Sequence, residues 1–181
     1  MLTAGLLLIL LLPILIITAV LIKLTSSGPV FFIQNRVGKN TSEFKLYKFR
    51  TMYHRPRKVS KVLKDDPDVT AIGYFLRRFK IDELPQLINV LIGQMSLVGP
   101  RPCVPDTVKE FNEDGIFRIK VKPGLTGMAQ VNGNIHLSWP ERWKYDRLYV
   151  ENLSFILDIK IIIKTIGLVL FGEERFIKKK Q

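Results

Sequence analysis

Two adjacent carboxylates lie in the run Arg77-Arg78-Phe79-Lys80-Ile81-Asp82-Glu83-Leu84-Pro85-Gln86, and a further arginine follows on Gly99-Pro100-Arg101-Pro102. A carboxylate can act as a nucleophile, and magnesium takes one or two carboxylates together with phosphate oxygens. Arginine pairs with phosphate bidentately. The residue types therefore suit the handling of a phosphate and a divalent metal. A plainer reading uses the same residues. Aspartate is a favoured N-cap, acidic side chains suit a first helical turn, and proline is tolerated there. Both readings put Asp82 at a helix start, where the helix dipole would keep it ionised.

The elements that must position these groups follow from pattern. Apolar spacing predicts a helix over 72–79 and a second over 84–92, stopped by Gly93. Residues 30–33 and 44–49 read as strands of a β-hairpin around Val37-Gly38-Lys39-Asn40. The stretch 54–68 reads as a basic loop with a short helix over 59–64, 106–114 as a polar helix and 128–131 as a short strand. An amphipathic helix is expected over 140–150, with Trp139, Trp143, Tyr145 and Tyr149 serving an interface. A final apolar helix over 153–171 is interrupted by Asp158, Lys160 and Lys164. Charges there make spanning a bilayer expensive, which leaves a helix lying in the membrane interface or a core helix. The fold class expected is α/β, mostly helical with a small β-hairpin.

The first 22 residues carry no charge and, as a helix, would measure about 31 Å, enough to cross a hydrocarbon core. Pro13 stands in the middle, where a proline kinks or breaks a helix. A spanning helix and a re-entrant one bent at Pro13 are both compatible with the pattern, and a cleaved signal peptide fits less well because no basic n-region precedes the apolar run. The formal net charge is +12, all of it from side chains after this segment. Such charge draws a domain to anionic headgroups and anionic substrates. No nucleic-acid-binding motif accompanies it, so nucleic acid is not an expected partner. Cys103 is the single cysteine and reads as a small buried thiol; the two histidines have no zinc-ligand spacing.

Taken in order, several motifs resemble the bacterial sugar transferase family, the small monotopic phosphoglycosyl transferases. They are Ser27-Gly28-Pro29-Val30-Phe31-Phe32, Gln34 and Arg36-Val37-Gly38-Lys39, then Lys45-Leu46-Tyr47-Lys48-Phe49-Arg50-Thr51-Met52. Ile81 to Val90, Gly93, Met95 to Pro102, Lys122 to Gly127 and Ala129-Gln130-Val131-Asn132-Gly133 complete the series, which covers nearly the whole chain. The resemblance implies that a sugar 1-phosphate passes from a UDP-sugar to polyprenol (undecaprenyl) phosphate, with UMP leaving. It implies Asp82 as the nucleophile of a covalent phosphosugar intermediate, Glu83 with Asp82 as magnesium ligands, and Lys48, Arg77 and Arg101 as phosphate-binding cations. Asp146, Asp158 and Gln130 become supportive positions and Pro13 the bend of a re-entrant helix.

The same resemblance implies an arrangement of a re-entrant membrane helix over 1–24 and a compact catalytic domain over 25–181 with interfacial amphipathic helices. That domain would sit at the cytoplasmic face of a bacterial inner membrane among membrane lipids. Two features depart from the family pattern. Leu12 stands where a serine usually precedes the proline, and the usual basic stretch before the membrane helix is absent, so a shortened start is the expectation. Two rival readings stay open: a metal-dependent glycosyltransferase using Asp66-Pro67-Asp68 as a D-x-D motif, and a non-catalytic membrane-surface module.

Overall fold

A computed structural model of the chain describes residues 2–55 and 66–172. The helix expected at 59–64 lies outside the described residues. The protein is mostly helical with two small sheets. Helix α1 (Leu2–Thr25) is followed by strands β1 (Phe31–Val37) and β2 (Glu43–Phe49), which pair antiparallel from Phe31↔Phe49 to Val37↔Glu43. Helices α2 (Ala71–Arg78) and α3 (Gln86–Leu91) come next, then β3 (Ser96–Val98), α4 (Glu113–Phe117), β4 (Gly124–Thr126), α5 (Met128–Val131), α6 (Trp139–Glu151) and α7 (Phe155–Phe171). Several 3₁₀ turns connect them, including Ile81–Glu83 and Pro105–Glu110.

Helix α1 runs as one continuous helix through Pro13. Along it, Ala4, Leu8, Leu11, Leu15, Thr18 and Ile22 are buried or half-buried, a spacing of three to four residues that defines one docked stripe. The first half of the stripe packs on Phe44 and Leu46 of β2, Leu87 and Val90 of α3, and Met95. The second half packs on Phe49 of β2, Leu76 of α2 and their neighbours. Both ends of α1 therefore rest on the same body, and the helix lies lengthwise along it. Pro13 is on the exposed face. A proline opens the helix on its own side, so any bend there curves α1 toward the domain it already touches. The C-terminal end is tied down by Arg50, whose guanidinium donates to the Ser26 and Ser27 carbonyls.

The exposed face of α1 stays apolar, with Leu6, Ile9, Leu10, Leu12, Ile16 and Ile17 all open. By length and composition α1 is long and apolar enough to cross a membrane. Helix α7 shows the same contrast. Ile161 and Leu168 enter a core with Val98, Val131 and Tyr149, while Phe155, Ile156, Ile159, Ile163, Ile166 and Leu170 remain exposed.

Several local expectations change. Residues 128–131 form the helix α5 instead of a strand, because Gly127 starts a turn that the preceding β4 cannot continue. The polar helix expected at 106–114 divides into the 3₁₀ turn Pro105–Glu110 and α4, where Asn112 caps the new helix by accepting from the Gly115 N–H. Helix α6 forms as expected with a Ser138/Glu141 capping box, but Trp143 and Tyr149 point into the core instead of toward an interface. The parallel pair β3–β4, with Ser96↔Gly124 and Val98↔Thr126 in register, has no local sequence signal. It exists because Gly99 and Gly124 let two backbones meet: a Cβ at Gly124 would collide with the Gly99 nitrogen. The pairing joins the Gly-Pro-Arg-Pro turn to the Lys-Pro-Gly-Leu-Thr-Gly segment, with Gly124 N donating to Pro100 O at 2.9 Å.

Candidate active site

The dyad is delivered by the end of α2. Lys80 takes the left-handed conformation (φ 56°) after Phe79 closes that helix. A non-glycine residue there costs about 1 kcal/mol, a local strain absorbed by the packing around it. The chain then turns through Ile81–Glu83, so Asp82 sits in a 3₁₀ turn and α3 begins later, at Gln86, with Pro85 at its cap position. Asp82 is thus not the helix N-cap that its sequence resembles. The expectation that a helix dipole keeps it ionised gives way to a different electrostatic setting.

Glu83 is the clamped member of the pair. Lys48 donates to its Oε1 at 2.7 Å. Arg101 bonds both carboxylate oxygens, with Nη1 to Oε2 at 3.2 Å. Period-two alternation places Lys48 on the same side of β2 as buried Phe44 and Leu46, which brings an ammonium to the edge of the core. Burial works to raise the Glu83 pKa, yet Arg101 and Lys48 together outweigh it and hold the carboxyl well below the usual range. Lys48 itself is lowered, first by burial and then by repulsion from Arg101, with Glu83 opposing.

Asp82 behaves oppositely. Its Oδ1 is buried with no hydrogen-bond partner among the described residues. Burial, and next the charge of Glu83, push its carboxyl up to about 6 despite Lys48, Lys80 and Arg101 nearby. Two neighbouring carboxylates are therefore driven apart, which assigns them different chemistry. Glu83 stays ionised and neutralised. Asp82 keeps an oxygen that no described residue bonds and a basicity above that of an ordinary aspartate, both of which suit a nucleophile working near neutral pH.

The remaining expected site residues fall into two groups. Arg77 is on the last turn of α2, and its Nε donates to Thr51 Oγ1 at 2.9 Å. Asp146, Asp158 and Gln130 act on the scaffold around Arg101. Buried Asp146 lies 3.5 Å from Arg118 Nε, and Arg118 also donates to the main-chain carbonyl of Arg101. Asp158 accepts from the Tyr149 hydroxyl at 2.8 Å, with the Val98 carbonyl 3.2 Å from the same oxygen. Burial and the Asp158 hydrogen bond hold the Tyr149 hydroxyl protonated. Both acids thus fix the segment from Val98 to Arg101 and reach the dyad only through it. Gln130 Nε2 donates to Leu125 O at 3.3 Å, tying α5 to β4.

One positioning residue carries no chemical signature in the sequence. Asn89 on α3 is fully buried; its Oδ1 accepts from Tyr47 N at 3.2 Å and its Nδ2 donates to Lys45 O at 2.7 Å. It stitches α3 to β2 and so fixes Lys48 relative to Glu83. A buried asparagine inside the apolar run Leu87 to Val90 was the only available hint. The Asp66-Pro67-Asp68 triplet forms a turn: Asp66 Oδ1 accepts from Asp68 N at 3.0 Å, and Asp68 pairs with Arg55. Cys103 is a buried thiol, its pKa raised by that burial.

The site is thus an unpartnered carboxylate oxygen beside a cation-clamped carboxylate, among the described residues of a body that carries a long apolar helix. A family model described as bacterial sugar transferase matches residues 1–172. The chain is 44% identical over 160 residues to the "Uncharacterized sugar transferase EpsL" of Bacillus subtilis (strain 168), covering 88% of this chain and 79% of that protein. It is 36% identical over 185 residues to the "Exopolysaccharide production protein ExoY" of Rhizobium meliloti (strain 1021), covering 93% and 82%. It is 43% identical over 173 residues to the "UDP-glucose:undecaprenyl-phosphate glucose-1-phosphate transferase" of Klebsiella pneumoniae, covering 90% of this chain and 37% of that protein. The chain belongs to the bacterial sugar transferase family.

Proposed function

We propose that the protein moves a sugar 1-phosphate from a UDP-sugar to undecaprenyl phosphate in two displacements at Asp82. In the first, an Asp82 carboxylate oxygen bonds to the sugar-bearing phosphorus, the bond from that phosphorus to the oxygen bridging the two phosphates breaks, and UMP leaves with that oxygen. In the second, an oxygen of undecaprenyl phosphate attacks the same phosphorus and expels the Asp82 carboxylate, giving the undecaprenyl diphosphate sugar. The observation that carries this reading is the buried, unpartnered Asp82 Oδ1 beside a Glu83 already neutralised by Lys48 and Arg101. Two displacements at one nucleophile let a small site serve a soluble donor and a lipid acceptor in turn.

Asp82 and Glu83 are the residues that would hold Mg2+; the metal would spread the negative charge of the donor diphosphate. Arg101 and Lys48 would hold Glu83 in register and present cations to the same phosphates, and Arg77 would add a third. Among the described residues no cluster of three or more His, Cys, Asp or Glu side chains could hold a metal by itself.

We further read α1 as re-entrant, lying within one leaflet at the cytoplasmic face of the inner membrane. A helix crossing along the bilayer normal would carry its N-terminal end to the far face of the hydrocarbon core, about 30 Å from a body seated at the cytoplasmic face. Here Ala4 and Ile22 are both fully buried against it. The outward apolar faces of α1 and α7 would enter the bilayer, keeping Asp82 near the plane of the lipid phosphate and so supplying proximity.

The test is incubation with a panel of UDP-sugars, undecaprenyl phosphate and magnesium. The expected products are UMP and a sugar–phosphate adduct on the protein that mass spectrometry places on Asp82. Release of UDP would instead favour a glycosyltransferase. No nucleotide product from any donor would favour a membrane-surface module. For topology, a cysteine placed at residue 3 should react with a reagent confined to the cytoplasmic side; periplasmic labelling would restore the spanning arrangement.

A further inference from the structure

Each of the two helices with an open apolar face ends against an arginine. Arg50 is buried and directly follows β2, two residues after Lys48. Its three hydrogen bonds among the described residues all go to the residues just past α1: to Ser26 O and Ser26 Oγ, each at 2.9 Å, and to Ser27 O. The turn that leaves α1 is shaped around that guanidinium. Gly28 has a positive φ of 110°, and a Cβ on it would stand 2.5 Å from Arg50 Nη1. Arg78 makes the matching contact at the other helix. It is the last residue of α2, and its Nη1 donates at 3.1 Å to Val169 O in the last turn of α7. Just past that helix, Gly172 has a φ of 92°, and a Cβ on it would lie 3.2 Å from Arg78 Nη2.

Carbonyls at a helix C-terminus lack partners within the helix and carry the negative end of its dipole, so a guanidinium suits them as a cap. What sets these two caps apart is where they start. Arg50 leaves the strand that carries Lys48, and Arg78 stands four residues before Asp82, at the helix end that delivers the dyad. The dyad turn and the cation that clamps Glu83 are thus each fastened to the end of a different apolar helix. Burying a guanidinium is costly, and Arg50 even leaves Nε without a partner among the described residues. A rigid link between α1 and β2 is what that burial supplies.

We propose that Arg50 and Arg78 are positioning residues that fix the height of Asp82 against α1 and α7, and that they serve the displacement by the lipid acceptor and not the one on the soluble donor. The inference rests on the transfer reading given above, with the outward faces of both helices in the bilayer. A UDP-sugar reaches Asp82 from solution at whatever height the turn stands. The phosphate of undecaprenyl phosphate is confined to the headgroup plane, so its oxygen meets the phosphosugar only where the fold holds that phosphorus. A misplacement of about 1 Å can cost about 10²-fold in rate.

The experiment uses the full chain in nanodiscs and follows the two displacements separately in the wild type, Arg50→Gln and Arg78→Gln. Thermal melting confirms that each variant is folded; Arg78 is exposed, so its variant carries the test if Arg50→Gln does not fold. Rapid-quench mass spectrometry gives the rate of adduct formation from a UDP-sugar that the wild type uses. The adduct is then chased with undecaprenyl phosphate in the same bilayer or with a short, water-soluble prenyl phosphate. In each folded variant the chase by undecaprenyl phosphate should slow about tenfold or more. Adduct formation and the chase by the soluble acceptor should stay within about twofold of the wild type. Equal slowing with the two acceptors, slowing of both displacements alike, or wild-type rates throughout each overturn the proposal. Failure of the transfer reading shows separately, as absence of an adduct on Asp82 of the wild type with every donor.

Discussion

Asp82 and Asp146 are both buried carboxylates, and burial pushes each up to about 6. Their surroundings separate them. Asp146 has a dedicated partner in Arg118 and, through it, a hold on the main chain of Arg101. Asp82 has Oδ1 without a partner among the described residues and a neighbour, Glu83, that takes up Lys48 and Arg101. A raised pKa alone thus identifies neither group as catalytic. What distinguishes them is whether the fold has already used the oxygen atoms.

The largest expected effect breaks or keeps that distinction directly. Asp82→Asn should lower turnover by at least about 10³-fold and remove the covalent adduct, as loss of a nucleophile does. Asp146→Asn should lower turnover by about 10–100-fold while the adduct still forms, because it only loosens the segment carrying Arg101. Intact-protein mass spectrometry after mixing with a UDP-sugar separates the two outcomes. An adduct that persists in Asp82→Asn would reverse the assignment of the two acids.

Next in size is the pH dependence, in which the two acids should appear in different measurements. Adduct formation needs ionised Asp82, so its rate should rise through pH 6 and level off above about pH 7. Stability should run the other way. A carboxyl raised from 3.8 to about 6 binds more protons in the folded chain than in the unfolded one across that interval. Stability is therefore greatest below the lower value and declines as pH rises toward 6, by about 3 kcal/mol for a group such as Asp146. Denaturant unfolding at several pH values measures this slope. Asp146→Asn should flatten it, whatever the variant's absolute stability.

A smaller effect concerns the clamp that makes the dyad asymmetric. Asn89→Ala leaves the Tyr47 N–H and the Lys45 carbonyl without their buried partner and should cost about 2–3 kcal/mol of stability. Chemical denaturation measures it. Because β2 then loses its tie to α3, Lys48 is freed from Glu83, and turnover should fall more than the loss of folded protein accounts for.

How far these relations could be read from sequence depends on their range. The adjacency of Asp82 and Glu83, the cations around them and the apolar first helix are local, and each was visible as residue type and spacing. Helix α6 was equally legible as an element, because the expected span 140–150 lies within the observed Trp139–Glu151. What escaped is non-local. The β3–β4 pairing depends on two glycines 25 positions apart approaching each other, and short strands of three residues leave no periodicity to detect. The N-cap pattern at Asp82 misled for a related reason: Lys80 adopts the left-handed conformation, and its turn displaces the helix start to Gln86. The docked stripe of α1 was hidden because its inner and outer faces are equally apolar, so composition cannot say which side is covered.

The smallest expected effect sharpens the comparison by adding a third pair of acids. Asp66 and Asp68 look like a metal-binding D-x-D in the sequence, yet here Asp66 Oδ1 caps a turn by accepting from the Asp68 N–H. Asp68 pairs with Arg55, whose side chain is 56% exposed. Exposed ion pairs contribute about 0–1 kcal/mol, so Asp68→Asn should change stability by no more than that. If these acids held a donor diphosphate through metal, the variant would lose turnover by orders of magnitude. If the chemistry belongs to Asp82, turnover should stay within about twofold. Steady-state UMP release with Asp68→Asn decides between them, and a large loss would move the catalytic centre away from the unspent oxygen of Asp82.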